Sequence, residues 1–224
     1  MPIHRRLILL TTLSALGGAL FAPFVLTGMR AAGATAIPSL PVLAAILFAG
    51  SALVSGLCSW AGLRLADRVH LQMPLLRALE QRSPIPASAL RHILFPSILG
   101  GLAAGLLVGA VVHLLPIPSN PGTLGIRLLT VFFAATVAEI VVHLFAMSAL
   151  VALFRRQWFA ILLSSILFVL LFHAGRIGSP WMTATVLLAN FAFGTLTGWM
   201  YARFGFESAV VAHAVAHLIA LGWN

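Results

Sequence analysis

Seven long apolar stretches constrain the fold of this chain more than any other feature of its sequence. They lie at residues 7–29, 38–63, 92–115, 127–154, 157–175, 182–202 and 207–223. An α-helix of about 20 apolar residues spans the hydrocarbon core of a bilayer. Hydrophobic residues make up 61% of the chain and the mean hydropathy is +1.09, far above the values of soluble domains. The sequence therefore predicts an all-α fold, a polytopic transmembrane helix bundle of about seven spans.

The arginines indicate the orientation of this bundle. All 13 basic residues are arginines, and they lie mostly between the apolar stretches. With the N-terminus on the cytoplasmic side, ten arginines fall on the inner side and three on the outer side. This bias follows the positive-inside rule, which also accounts for the net charge of +9 without a nucleic-acid partner. We expect an integral protein of a bacterial inner (plasma) membrane, with a cytoplasmic N-terminus, membrane lipid as a partner and no nucleic acid.

Ionisable residues inside apolar stretches cost a few kcal/mol each to insert and tend to mark function, and five such residues matter here. They are Glu139, His143, His173, His213 and His217. Two pairs among them have the i, i+4 spacing that places both side chains on one helix face: Glu139 with His143, and His213 with His217.

The depth of these residues can be compared by counting from arginines at the inner membrane surface. Glu139 precedes Arg155 in the sequence, His173 follows Arg156, and His217 follows Arg203. Each of these separations corresponds to roughly four to five helical turns. At a rise of about 1.5 Å per residue, all three lie about 21–26 Å from that surface. The spacing therefore predicts one polar site, built from three helices.

Two chemistries fit a carboxylate and several imidazoles in an apolar site. In one, Glu and His activate a water for attack on an amide carbonyl, while other imidazoles donate hydrogen bonds to the oxyanion. In the other, the same side chains bind a divalent metal such as zinc, which polarises the water. The candidate ligands are Glu139, His143, His173, His213 and His217. Both chemistries give hydrolysis, and no cofactor is certain from the sequence.

Three stretches in the C-terminal half, within about residues 125–222, resemble the CAAX-processing and bacteriocin-processing (CPBP) intramembrane proteases. They are AEIVVHLFAMSALV at 138–151, SSILFVLLFHAG at 164–175 and NFAFGTLTGWMYARFGFESAVVAHAVAH at 190–217. The family motifs are Glu-Glu-x-x-x-Arg, Phe-x-x-x-His and His-x-x-x-Asn or Asp. The resemblance implies that Glu139 and His173 activate the water, and that His213, with His217, binds the oxyanion as a donor or acts as a ligand.

The chain departs from the family motifs at several positions. Ala138 takes the place of the first Glu, Glu139 matches the second, and Val169 takes the place of the Phe. His143 occupies the position of the Arg and is predicted to support the site. His217 occupies the position of the Asn or Asp. The resulting site is enriched in histidine relative to the family pattern.

The resemblance divides the chain into two parts of one integral membrane domain. Residues 1–124 are predicted to form an N-terminal transmembrane region, whose cytoplasmic basic loop, 64–91, is either an amphipathic surface helix or a solvated segment. Residues 125–224 are predicted to form the CPBP-like protease core.

The expected function is a divergent intramembrane endopeptidase that hydrolyses peptide bonds of membrane-associated proteins or peptides. Two alternatives remain open at the level of the sequence. One is a catalytically degenerate membrane scaffold for binding or maturation, and the other is a His-rich, metal-dependent variant.

Overall fold

A computed structural model describes residues 4–31, 33–115, 124–172 and 179–221. Ten α-helices and one π-helical segment follow one another within these ranges. They are α1 (His4–Leu20), α2 (Ala22–Ala31), α3 (Leu40–Arg68), α4 (Pro74–Gln81), α5 (Ala87–Leu114), α6 (Leu124–Phe133), the π-helical segment (Ala134–Met147), α7 (Ser148–Phe154), α8 (Gln157–Phe172), α9 (Pro180–Phe204) and α10 (Phe206–Leu221). The described part of the chain contains no strand, and the predicted all-α bundle is confirmed.

Within the described ranges, four helical stretches are long and apolar enough to cross a membrane. They are His4–Arg30, Leu40–Arg68, Ala87–Val111 and Val131–Phe154. Gln157–Phe172 and Phe206–Ala220 are apolar but shorter. Each of the seven predicted stretches contains a helix, whereas the count of seven spans, the cytoplasmic N-terminus and the division at residue 124 remain predictions.

The first apolar stretch is interrupted, although its sequence predicts a single span. Helix α1 ends at Leu20 and α2 begins at Ala22, with Phe21 between them. Pro23 explains the break because it lacks a backbone N–H and its ring clashes with the carbonyl one turn earlier. The ring of Phe21 stacks on Phe133 with the ring centroids 4.7 Å apart, so the break is packed against α6.

The basic loop contains a helix, as one of its two interpretations predicts. Helix α4 inserts Leu76 into the core, and its N-terminus is held by α10. The backbone N–H of Leu76 donates to Glu207 Oε1 at 2.7 Å, and the N–H of Phe206 donates to the carbonyl of Gln72 at 3.0 Å. Glu207 thus satisfies one of the free N–H groups in the first turn of α4.

Helix α10 packs closely against α5 at two glycines. A Cβ at Gly101 would lie 2.7 Å from the carbonyl oxygen of Ala212, and a Cβ at Gly105 would lie 2.7 Å from that of Ala216. Only glycine allows the backbones to approach this closely, which is a common feature of membrane helix pairs. The contact fixes the helix that carries His213 and His217.

Candidate active site

Glu139 joins two helices at the centre of the bundle. Its Oε2 lies 2.7 Å from Nδ1 of His143, one turn along the π-helical segment, and its Oε1 lies 2.7 Å from Nδ1 of His213 on α10. Glu139 and His143 are 0% exposed and His213 is 1% exposed. The structure therefore brings three of the five predicted site residues into one hydrogen-bonded group that is shielded from the surroundings.

The group extends at both ends. Nε2 of His143 lies 3.2 Å from the carbonyl oxygen of Gly194 on α9, and Nε2 of His213 lies 3.0 Å from Nε2 of His217. The rings of His213 and His217 are stacked, with centroids 4.9 Å apart and an interplanar angle of 14°. We refer to Glu139, His143, His213 and His217 as the central cluster.

The hydrogen bonds of the central cluster can all be satisfied without a net charge. Four contacts link the Gly194 carbonyl to His143, His143 to Glu139, Glu139 to His213, and His213 to His217. Each of them needs one proton to be a hydrogen bond. Three neutral imidazoles and one protonated carboxyl group carry four exchangeable protons. One proton for each of these four hydrogen bonds is thus compatible with an electrically neutral cluster, which suits an apolar interior where an uncompensated charge is costly.

Two of these proton positions follow from the chemistry of the acceptors. A carbonyl oxygen accepts only, so Nε2 of His143 donates to Gly194. The proton between Nδ1 of His143 and Oε2 of Glu139 then makes this pair either imidazolium with carboxylate or imidazole with carboxylic acid. When Nδ1 of His213 donates to Glu139, its Nε2 accepts from His217.

Glu139 and His143 lie in the π-helical segment, which the sequence does not predict. A π-helix bonds residues i and i+5, is rare, and is found mostly as short bulges at functional sites. Here it extends over the 14 residues from Ala134 to Met147. The apolar pattern around Glu139 resembles that of an α-helix, so the wider turn is seen only in the structure.

Apolar side chains surround the central cluster. The ring of Phe193 meets that of His213 edge-on, at a centroid distance of 4.8 Å, and Phe168 does so at 5.9 Å. Ala138, at the position of the family's first Glu, is 3% exposed and packs in the same apolar group. This position therefore adds no carboxylate to the site. Val169 is also buried, and its neighbour Phe168 supplies the aromatic contact.

A small cavity of about 20 Å³ adjoins the central cluster at His217. Its volume suits one water molecule. Asn190 on α9 also lines it and donates from Nδ2 to the carbonyl of Val186 at 2.9 Å. Sequence reasoning did not place Asn190 in the site, although its depth could have done so. Asn190 precedes Arg203 by nearly the same separation in sequence as that by which His217 follows it.

His173, the predicted partner of Glu139 in water activation, lies outside the described residues. Its role in water activation therefore stays a prediction.

The candidate metal ligands can be compared with the geometry of the central cluster. Among the residues that the structure describes, no group of three or more His, Cys, Asp or Glu side chains is arranged to hold a metal ion. Both oxygens of Glu139 face ring nitrogens at 2.7 Å, as hydrogen-bond partners do, and do not converge with them on a common point. A metal set that includes His173 stays a prediction.

Comparison with known proteins adds a finding for the C-terminal part of the chain. Residues 120–219 match a family model described as Type II CAAX prenyl endopeptidase Rce1-like. The matched range contains all five predicted site residues. Comparisons with curated proteins and with solved structures gave no match.

The Rce1-like family consists of CAAX-type proteases that act on membrane-associated proteins. Together with the apolar helices, the match indicates an integral membrane protein. The predicted resemblance to the CPBP intramembrane proteases is thus confirmed, and residues 120–219 are similar to the Rce1-like proteases.

Proposed function

We infer that the protein is a divergent intramembrane endopeptidase that cleaves membrane-associated proteins or peptides in a bacterial inner membrane. One observation carries this proposal. Inside the region that matches a protease family, a buried carboxylate, Glu139, is hydrogen-bonded to His213, which in turn contacts His217 beside a cavity of the size of a water.

Glu139 and His173 are the proposed base. A carboxylate offers about four lone-pair positions, and the contacts with His143 and His213 use two of them. The remaining lone pairs allow Glu139 to accept a proton from a water. As that proton leaves, the water oxygen bonds to the carbonyl carbon of the peptide, and the carbonyl oxygen takes the negative charge.

His213 and His217 are the proposed partners of this oxyanion. Their Nε2 atoms lie 3.0 Å apart and share one proton. A substrate oxygen placed beside them would compete for the N–H of His217, in the manner of an oxyanion donor. The C–N bond then breaks as the leaving nitrogen takes up the proton from the base, which gives a free amine and a carboxylic acid that loses its remaining proton to water.

A cleavage assay with purified protein and a membrane-anchored peptide tests this assignment. The variant Glu139→Gln keeps the size of the side chain and removes the base, so we expect cleavage to fall by at least about 100-fold. His173→Ala should fall to a similar extent. His92→Gln is the matched control, because His92 is an exposed histidine whose ring contacts Phe204, outside the central cluster. Full activity in both Glu139→Gln and His173→Ala would refute the proposed base.

A non-catalytic membrane scaffold is the second candidate function. It is favoured by the buried Ala138 at the position of the family's first Glu and by the complete burial of Glu139 and His143. A scaffold would hold its partner equally well in the wild type and in Glu139→Gln, and neither protein would cleave any membrane-anchored peptide. Cleavage by the wild type that Glu139→Gln abolishes rules this candidate out.

A metal-dependent variant of the protease is a separate proposal about the same residues. It requires ligands from among Glu139, His143, His173, His213 and His217, with zinc as the preferred ion for such donors. Elemental analysis of protein purified without chelator tests it. One equivalent of zinc in the wild type, lost in His173→Ala and His217→Ala, supports this variant, and less than a tenth of an equivalent contradicts it.

A further inference from the structure

A charged cavity lies at the end of the bundle where the arginines concentrate, away from the central cluster. It has a volume of about 560 Å³ and is formed by the start of α1, the end of α3 and helix α4. Four arginines and two carboxylates line it: Arg6, Arg64, Arg68, Arg77, Asp67 and Glu80. We call these six residues the arginine cluster. Their net charge is +2.

The two carboxylates of the arginine cluster are already paired. Arg6, which is 5% exposed, donates from Nη2 to Asp67 at 3.0 Å, and its Nε lies 2.8 Å from Glu80. Arg77 donates to the other oxygen of Asp67 at 2.9 Å. These contacts form the floor of the cavity. Because both acids are paired in this way, neither of them neutralises Arg64 or Arg68.

Arg64 and Arg68 present unneutralised charge at this cavity. Both are exposed, and their i, i+4 spacing places them on one face of α3. Throughout the described ranges neither side chain has an ion-pair partner. The guanidinium of Arg64 lies over the ring of Trp60, 4.1 Å from its centroid, which fixes its position at the cavity. Guanidinium groups in such positions match the oxygens of a phosphate.

The surface next to these arginines is apolar. Leu53, Leu57 and Trp60 are exposed and follow one another at the spacing of one helix face, which continues directly to Arg64. An acyl chain can therefore lie along α3 while its headgroup reaches the arginines. The arginine bias predicts that this end of the bundle faces the cytoplasm, where anionic lipids meet basic pockets between membrane helices.

We propose that the arginine cluster binds the phosphate group of an anionic phospholipid, with Arg64 and Arg68 as its donors and the apolar face of α3 as the support of an acyl chain. Asp67 and Glu80 hold Arg6 and Arg77 as the positively charged floor. The site is separate from the central cluster and does not depend on protease activity.

Lipid binding to the full chain tests the proposal. The protein is placed in nanodiscs of phosphatidylcholine with increasing phosphatidylglycerol, and the thermal unfolding midpoint is followed. We expect the midpoint to rise with phosphatidylglycerol in the wild type. The affinity of the double variant Arg64→Gln/Arg68→Gln for this lipid should be roughly 25-fold lower, at about a factor of five for each arginine near the surface.

The matched control removes two arginines from the same predicted side, outside the cavity. Arg155→Gln/Arg156→Gln has the same change in net charge, and both arginines are exposed. The control should respond to phosphatidylglycerol as the wild type does. An equal loss of response in both double variants would overturn the proposal, as would a wild type that does not respond.

A second arm distinguishes the two sources of a phosphate group. Inorganic phosphate is added to the protein in micelles of an uncharged detergent. A response to phosphatidylglycerol without a response to phosphate supports the lipid site and its apolar support. A response to phosphate alone overturns the role of lipid.

Discussion

The central cluster and the arginine cluster each pair a carboxylate with nitrogen-bearing side chains, but they do so in different surroundings. In each, one carboxylate bridges two nitrogen-bearing side chains: Glu139 joins His143 and His213, and Asp67 joins Arg6 and Arg77. The first is buried, and one proton for each of its four hydrogen bonds satisfies them without a net charge. The second lies at the end of the bundle, where the side chain of Asp67 is 36% exposed, and it has a net charge of +2.

The difference follows from the surroundings. In an apolar interior no water can bind an unpaired charge or hydrogen-bond donor, so each donor needs an acceptor within the protein. Near the membrane surface, water and lipid headgroups compensate the excess charge. We therefore expect the loss of a hydrogen-bond partner in the central cluster to lower stability strongly and independently of salt. The loss of a partly exposed ion pair in the arginine cluster should act weakly and depend on salt.

Glu139→Ala should have the largest effect. It leaves Nδ1 of His143 and Nδ1 of His213 without their partner, and both side chains are buried. Removing one partner of a buried ionic pair costs about 3–5 kcal/mol. The free energy of unfolding, measured by titration with SDS in micelles, should fall by this amount. An unchanged unfolding curve would mean that the central cluster adds no stability.

Arg6→Met should have the next largest effect, of about 2–3 kcal/mol. Arg6 is the buried member of the arginine cluster and contacts both acids, so its loss leaves Glu80 without the partner at 2.8 Å. The effect is smaller than that of Glu139→Ala because Asp67 keeps Arg77. The same SDS titration measures it, and a larger loss than in Glu139→Ala would reverse the comparison.

Glu207→Gln should have a smaller effect. Glu207 links α10 to α4 and belongs to neither cluster. The amide oxygen can still accept from the N–H of Leu76, whereas Glu207→Ala leaves this N–H without its acceptor. We expect Glu207→Ala to cost about 1 kcal/mol, as other helix caps do, and Glu207→Gln to cost less. Hydrogen exchange at α4 should rise in the Ala variant. Equal protection of α4 in both variants would contradict the capping role.

Asp67→Asn should have the smallest effect at physiological salt. Its partly exposed ion pairs are worth about 1 kcal/mol or less, and salt screens them. The loss in unfolding free energy should shrink as sodium chloride is raised from about 0.05 to 0.5 M. The loss in Glu139→Ala should stay constant over the same range. Parallel salt dependence of the two would remove the distinction between the clusters.

Much of the fold and part of the site follow from the sequence for physical reasons. Membrane-length apolar stretches permit little besides helices, and counting residues from the arginines places Glu139 and His217 at one depth. The arginine cluster could not be foreseen, because Arg6 and Asp67 are 61 residues apart and meet only when α1 packs on α3. The π-helical segment leaves no mark in the residue pattern either.

Other details had signals in the sequence that were weaker than the apolar pattern. Pro23 marks the break between α1 and α2, yet the continuous apolar stretch favours a single span. Asn190 lies at the depth of His217, yet an amide in a membrane helix is more often a packing contact. Both cases show that single polar or proline residues become interpretable once the neighbouring helix is known.

The central claim is that Glu139 acts as a base in a cluster whose hydrogen bonds do not require its charge. In Glu139→Gln, the amide N–H can donate to Nδ1 of His143 and the amide oxygen can accept from Nδ1 of His213, so each of the four hydrogen bonds keeps one proton. The most direct test measures unfolding and peptide cleavage on the same preparation of this variant. We predict unfolding within about 1 kcal/mol of the wild type and cleavage reduced by at least about 100-fold. Cleavage at the rate of the wild type would contradict the account.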